Sequence, residues 1–253
     1  MKNNIVSVVT IVKDHEKGLR NTLNSLLVQE YEHWESIVVV GDSRDKTYEV
    51  ACEFADKDSR IKILKQSDKG IYQAMNLGTQ YAIGDYVWYM NAGDTFYNKE
   101  SILIGLNAIN KFNCGLVIGG YAVQDTNPIE EYSFPEKELS FGIIAKSRRG
   151  TCHQSMIFRT DVVREFNGYN PTFKFAADYD LILRLLKTST VVRIAEVISA
   201  IEPGGVSDIN LSKVHREKLE IRNSILTTSR HKLSSAAWYV LITRWLRIRK
   251  RKS

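Results

Sequence analysis

The sequence is poor in residues that break or staple a chain, with four prolines and three cysteines in 253 residues. Cys52, Cys114 and Cys152 are odd in number, widely spaced and in no metal-ligand pattern. That argues against a disulfide framework or a structural zinc site and reads as thiols kept in a reducing compartment. Scarce proline without any biased repeat argues against long disordered stretches. Long apolar runs are also missing. The opening MKNNIVSVVTIVKD is broken at Lys13 and Asp14, too short for a signal-peptide core or a bilayer span, so a cytoplasmic location is expected. No GxGxxG follows the first apolar run, and neither GxxxxGKS nor GxxxxGKT occurs, which weighs against a dinucleotide oxidoreductase and a P-loop kinase. A diphosphate bound here must be held another way.

What is present suggests one α/β domain with an appendage. Strand-like runs at 5–12, 36–40, 61–64 and 85–90 alternate with helix-like segments carrying Leu19, Leu23, Leu26 and Leu27, then 48–56, then 71–83 directly after Gly70. Such alternation is the signature of βαβ units and an open parallel sheet. The second half is less regular, with strand-like 115–120 and 155–159, a loop-rich 121–150, a helix over 175–187 and a turn at 202–208. Trp88 and Tyr89 read as core.

Ligands bind outside the carboxyl ends of the strands in such sheets. The four loops there contain Asp14, Asp42 with Asp45, Asp68, and Asp94, a convergence that suggests a site. A divalent cation bridging a carboxylate and phosphate oxygens is the usual alternative to a glycine-rich loop. Asp94, after the fourth strand in MNAGD, is the candidate carboxylate for Mg²⁺ or Mn²⁺, and Asn91 can add a carbonyl oxygen. The competing reading of Asp94 is a turn residue. His153 is either a hydrogen-bonded structural histidine or, with Gln154, part of an acceptor or diphosphate site. Arg148 and Arg149 are candidates for phosphate contact or are solvated loop charges.

The segments TIVKD, GLRNTLNSLLVQEYEHWESIVV (18–39), SRDKT (43–47), DKGIYQAMNLG (68–78), AIGDYVWYMNAGD (82–94), CHQSMIFR (152–159) and AADYDLILRLL (176–186) occur in this order. Together they resemble family 2 glycosyltransferases, most closely the bacterial enzymes of capsule, colanic-acid-like exopolysaccharide and O-antigen assembly. The resemblance implies an α/β GT-A fold: a Rossmann-like open mixed sheet flanked by helices over residues 1–210, with a nucleotide-sugar half at 1–114 and an acceptor half at 115–210. It further implies that Thr10, Val12 and Asp42 or Asp45 hold the nucleoside. Asp68, Lys69, Gly70 and Asn76 would line the base and phosphate side, and Asp94 would bind the metal. The second strand ends in Val40 and Gly41 where relatives have an acid, NAGD offers one carboxylate where DxD is usual, and Ala177 replaces a Glu. Asp178 matches the general base of relatives. An inverting transfer needs such a carboxylate to take the acceptor hydroxyl proton. Asp180, roughly 200° round a helix of about 100° per residue, is expected to cap or solvate the helix.

Charge is unevenly spread. From Lys213 on, 12 Lys/Arg stand against 2 Asp/Glu, so of the net +6 the first 212 residues carry −4. Residues 211–232 read as a helix, and Trp238, Leu241, Ile242, Trp245 and Ile248 repeat at helical spacing before RIRKRK (247–252). A C-terminal helical basic region, 211–253, lying on an anionic membrane surface is the expectation, preferred to a core helix with a solvated end or an RNA-binding tail. The expected function is an inverting transfer from a UDP- or GDP-sugar to a glycan acceptor, which the resemblance implies is polyprenyl-diphosphate-linked. Nucleic acid is not an expected partner. The alternatives are a catalytically inactive nucleotide-sugar or membrane-binding module, and a sugar-1-phosphate nucleotidyltransferase, whose glycine-rich loop TIVKDHEKGLR lacks.

Overall fold

The computed structural model describes residues 4–67, 70–146, 152–205 and 210–226. In the first half β1 (Val6–Val12), α1 (Glu16–Leu27), β2 (Trp34–Val40), α2 (Thr47–Lys57), β3 (Ile61–Lys65), α3 (Ile71–Tyr81) and β4 (Tyr86–Tyr89) follow the expected alternation closely. The second half contains β5 (Thr95–Phe96), α4 (Ser101–Phe112), β6 (Leu116–Val123), β7 (Glu130–Tyr132), β8 (Lys137–Leu139) and α5 (Phe141–Lys146). A single 3₁₀ turn (His153–Ser155) leads into β9 (Met156–Arg159), α6 (Thr160–Glu165), α7 (Ala177–Leu185), β10 (Val191–Ile201) and α8 (Leu211–Leu226).

β1 is continuously apolar because both faces of the sheet are covered. Successive side chains of a strand point to opposite faces. Val6, Val8 and Val12 therefore join Leu19, Leu23 and Leu26 of α1 in one core, while Val9 joins Tyr72 and Met75 of α3 in the other. β1 pairs in parallel with β2 from Val6–Trp34 to Val12–Val40, so the two strands end at one level and their loops emerge side by side. Trp88 and Tyr89 are fully buried, one in each core, as expected.

The strand order is β3-β2-β1-β4-β9-β6-β10-β5, with β7 on β6 and β8 on β10. β9 runs antiparallel to both β4 and β6, so the sheet is mixed, as the resemblance implied, and not the all-parallel sheet that the alternation alone suggests. Three further departures lie in the second half. The stretch read as loop-rich, 121–150, contains β7, β8 and α5. α4 went unread although Ile102, Leu106 and Ile109 repeat at helical spacing and are buried. β10 went unread because its alternation breaks where its pairing with β6 shifts register between Arg193 and Val197. α8, the described start of the basic region, packs on α7, with Ile221 buried in the same core as Leu181 and Leu185.

Gly78, in the motif 68–78, is a packing glycine. A Cβ there would come within 2.3 Å of Cγ1 of Val9 on β1, so α3 lies as close to the sheet as a residue without a side chain permits. Gly78→Ala is expected to lower stability by about 1–3 kcal/mol through this overpacking. A urea midpoint that falls at unchanged slope is the readout, and an unchanged midpoint would contradict the tight contact.

Candidate active site

The carboxyl ends of β1, β2, β3 and β4 open on a cleft of about 380 Å³, within the range of small-molecule sites. Ile11, Val12, Lys13 and His15 form its β1 side, and Val39 and Gly41 its β2 side. Gln66 follows β3, Gly70, Ile71 and Ala74 bring the start of α3, and Asn91 and Ala92 close it after β4. Of the residues expected at the donor, Val12, Gly70 and Asn91 therefore line the cleft. Thr10 does not: it is fully buried in β1, short of the strand end at Ile11 and Val12 that opens on the cleft.

Two more donor expectations are corrected by hydrogen bonding. Asn76 turns away from the cleft and staples α3 to the 168–170 turn, with Nδ2 donating to Tyr169 O at 2.7 Å and Oδ1 accepting from Tyr169 N at 2.8 Å. Asp45 accepts from Thr47 N at 3.0 Å, Thr47 Oγ1 at 2.5 Å and Glu16 N at 3.1 Å. It ties the starts of α1 and α2 together as an Asx turn, and the Thr47 hydroxyl bond, first among these, holds its carboxyl below the usual range. Asp42 is exposed next to Gly41 at the cleft edge. Asp68, Lys69, Arg148 and Arg149 lie outside the described residues, as do Trp238 to Ile248 and the RIRKRK cluster.

Asp94 is buried below the cleft. Its Oδ2 accepts from Gln154 Nε2 at 2.6 Å and its Oδ1 from the backbone N of Glu202 at 2.9 Å. Desolvation by burial is the largest influence on it and pushes the carboxyl up to about 6, against the pull of those two donors. Gln154 is itself fixed: its backbone O accepts from Trp88 Nε1 at 2.7 Å, and its Oε1 accepts from the Cys152 thiol at 3.2 Å. Burial pushes that thiol up to about 12, so it stays a protonated donor. Glu202, read only as part of a turn, reaches back over Gly93 to His15, with Oε2 at 2.8 Å from Nε2. Gly93 has φ of 102°, and a Cβ there would stand 2.1 Å from that carboxylate oxygen. His15 and Glu202 are thus site residues that the sequence reading missed, because 187 residues separate them.

The other line of polar contacts runs from Asn91. Its Nδ2 lies 3.0 Å from Nε2 of His153, while its Oδ1 is buried with no hydrogen-bond partner. Desolvation pushes the His153 imidazole below its ordinary value, against the opposing field of Asp178, so the neutral ring accepts from Asn91. Asp178, in the first turn of α7, is half-buried and accepts from Tyr179 N at 2.7 Å. Asp180 is not a solvated cap. It is buried and pairs with Arg184 Nε at 2.8 Å, and Arg184 also donates to Phe166 O and Gly168 O, so this carboxylate holds a turn in place.

Comparison with known proteins accounts for the motif order. Residues 7–166 match the family described as Glycosyl transferase family 2. The chain belongs to this family. It is 26% identical over 231 residues to a PGL/p-HBAD biosynthesis glycosyltransferase of Mycobacterium bovis, spanning 89% of this chain and 85% of that protein. It is also 26% identical over 243 residues, 95% of this chain and 87% of that protein, to the Escherichia coli UDP-Glc:alpha-D-GlcNAc-diphosphoundecaprenol beta-1,3-glucosyltransferase WfgD. Among solved structures, S. aureus TarS 1-349 in complex with UDP-GlcNAc superposes with a TM-score of 0.68 at 17% identity, over 88% of this chain and 66% of that one. Mannosyltransferase PcManGT from Pyrobaculum calidifontis, with GDP-Man and Mn²⁺, does so with a TM-score of 0.67 at 12% identity, over 88% and 64%. The family member is a glycosyltransferase with a GT-A fold.

Asp94 sets a pH dependence. Its folded-state pKa is raised, so its stabilising contribution is complete in acid and is lost as pH rises through about 6. In metal-free buffer the unfolding free energy is expected to drop by about 1–3 kcal/mol between pH 5 and pH 7 from this group. Denaturant titrations should show that drop in the parent protein and not in Asp94→Asn; the same slope in both would mean Asp94 is not its source.

Proposed function

We propose that this family 2 glycosyltransferase inverts the anomeric centre as it moves a sugar from a UDP- or GDP-sugar to a polyprenyl-diphosphate-linked glycan in bacterial cell-surface polysaccharide assembly. The observation that carries the reading is the contact of Asn91, on the cleft wall, with His153, whose ring lies in the field of Asp178. That contact supports a base on α7 acting next to the cleft wall. In the transfer, Asp178 accepts the proton of the acceptor hydroxyl as that oxygen bonds to the anomeric carbon. The bond from this carbon to the phosphate oxygen breaks on the opposite face, and the nucleoside diphosphate leaves with the electron pair. His153, neutral and hydrogen-bonded, orients Asn91 between the two halves.

The donor set fits a divalent cation held mainly by its substrate. Among the described residues no three His, Cys, Asp or Glu side chains gather into a ligand set. Asp94 keeps lone pairs beyond its two N–H contacts, and Asn91 Oδ1 is a buried acceptor without a partner. A magnesium or manganese ion takes one or two such oxygens and completes its shell with phosphates and water. When bound there it would neutralise the charge that develops on the departing diphosphate. The ligands in the names of TarS, PcManGT and WfgD support this donor class, and the WfgD name supports a lipid-linked acceptor.

Among the described residues no helix is long and apolar enough to cross a membrane. The concentration of positive charge after Lys213 supports attachment to an anionic surface at the cytoplasmic face, where a lipid-linked acceptor would lie.

A panel of UDP- and GDP-sugars assayed for nucleoside diphosphate release tests the activity; neither turnover nor binding with any of them would overturn it. Asp178→Asn is expected to lower kcat by about 100-fold or more with donor Kd little changed, and near-normal turnover would place the base elsewhere. Deleting 234–253 should release the protein from vesicles rich in phosphatidylglycerol in a sedimentation assay. Equal sedimentation of the truncated and full-length chains would refute the membrane role.

A further inference from the structure

Asp178 stands in a first helical turn whose start is not built by its own segment. The N-cap of α7 is Ala176, which has no side chain able to accept a hydrogen bond, and residues 174–176 present three successive backbone N–H groups. All three are satisfied by one side chain from another helix. Glu217 of α8 accepts from Lys174 N at 2.9 Å through Oε1, and from Phe175 N at 2.8 Å and Ala176 N at 3.0 Å through Oε2. The acceptor lies 41 residues beyond Ala176, and it holds the stretch that leads into α7. Charge-assisted bonds of this kind are about twice as strong as neutral ones, and both oxygens are used, so the approach of the segment is fixed in direction as well as distance.

α8 is itself anchored. Ile221, one turn on from Glu217, is fully buried in the core shared with α7, and Arg222 is buried beside it. Lys218, next to Glu217, sits with its Nζ 5.2 Å from the centre of the Tyr179 ring. Burial pushes its amine below the ordinary value while the field of Asp178 acts in the other direction. The side chains of Glu217 and Lys218 thus bracket residues 174–179 from one helix.

Resting on the reading of Asp178 as the base, we infer that Glu217 is a positioning residue for transfer: by holding residues 174–176, the lead-in to α7, from α8 it sets where the Asp178 carboxylate stands relative to the acceptor hydroxyl. A near-attack geometry tolerates little displacement, and a misplacement of about 1 Å can cost about 100-fold in rate. Glu217 acts through Asp178 and need not touch substrate. Its loss should therefore appear in the chemical step and vanish when Asp178 can no longer take a proton.

The test is a double-mutant cycle on the full chain with its best sugar nucleotide, comparing Glu217→Gln, Asp178→Asn and the pair. Glu217→Gln keeps the volume but turns an N–H₂ group toward N–H donors. It is expected to lower kcat about 10-fold or more with donor KM within about 2-fold, and to change the residual turnover of Asp178→Asn by less than about 2-fold. An equal loss in both backgrounds would make Glu217 a general structural cap and overturn the inference, as would an unchanged kcat in the Asp178 background. Should Glu217→Gln lose its cooperative thermal transition, Glu217→Asp retains the charge and shortens its reach. The same pattern is then required, with a smaller loss of about 3-fold or more in the Asp178 background only. Failure of the base reading is distinguishable, because Asp178→Asn alone would then keep near-normal turnover.

Discussion

The site depends on one buried carboxylate. Asp94 follows the last parallel strand of the first half, and its two oxygens are held by Gln154 from the turn before β9 and by the backbone of Glu202 after β10. Three segments that are remote in sequence meet on this side chain. Glu202 is placed to reach His15 on the opposite rim because its own N–H is bound to Asp94, and His15 lines the cleft. The cost of burying the carboxylate is visible in its raised pKa, and only part of that cost is offset by the two donors.

Around this centre the chain uses many polar residues for support, and the distinction between supporting and acting residues follows from their partners. Asp45, Asn76 and Asp180 all have the chemistry of a site residue, yet Asp45 and Asn76 each join two elements and Asp180 pairs within α7 with Arg184, which holds the 166–168 turn. Glu217 has a similar task, with the difference that the segment it holds carries Asp178. Asn91 is the reverse case. It sits on the cleft wall, gives its amide N–H to His153 and keeps an acceptor oxygen with nothing to bind. A buried acceptor left open carries a cost that a bound ligand can relieve.

The position of α8 gives the C-terminal region a second aspect. Its first helix is part of the body through Ile221 and Glu217, and eight of the twelve Lys/Arg counted from Lys213 come after it. Any surface that the basic residues engage would be joined, through one helix, to the segment that carries Asp178.

The sequence by itself determined the first half of the fold, because helix and strand there are encoded by local periodicity. The β-branched run of β1, the leucine face of α1 and the position of Gly70 before α3 can be read without tertiary knowledge. Motif order likewise identified the family, and Val12, Gly70 and Asn91, singled out from it, line the cleft. Local periodicity suggested a parallel sheet and only the resemblance a mixed one; tertiary structure decided where it becomes mixed, with β9 inserted antiparallel between β4 and β6. It also decided which carboxylates are available. Asp42 and Asp45 are three residues apart in one loop with the same side chain, yet only Asp45 is committed to the starts of α1 and α2. His15–Glu202 and Glu217–Ala176 were not legible for the same reason: a hydrogen bond is set by distances of about 3 Å, and the fold alone brings such distant residues within that range.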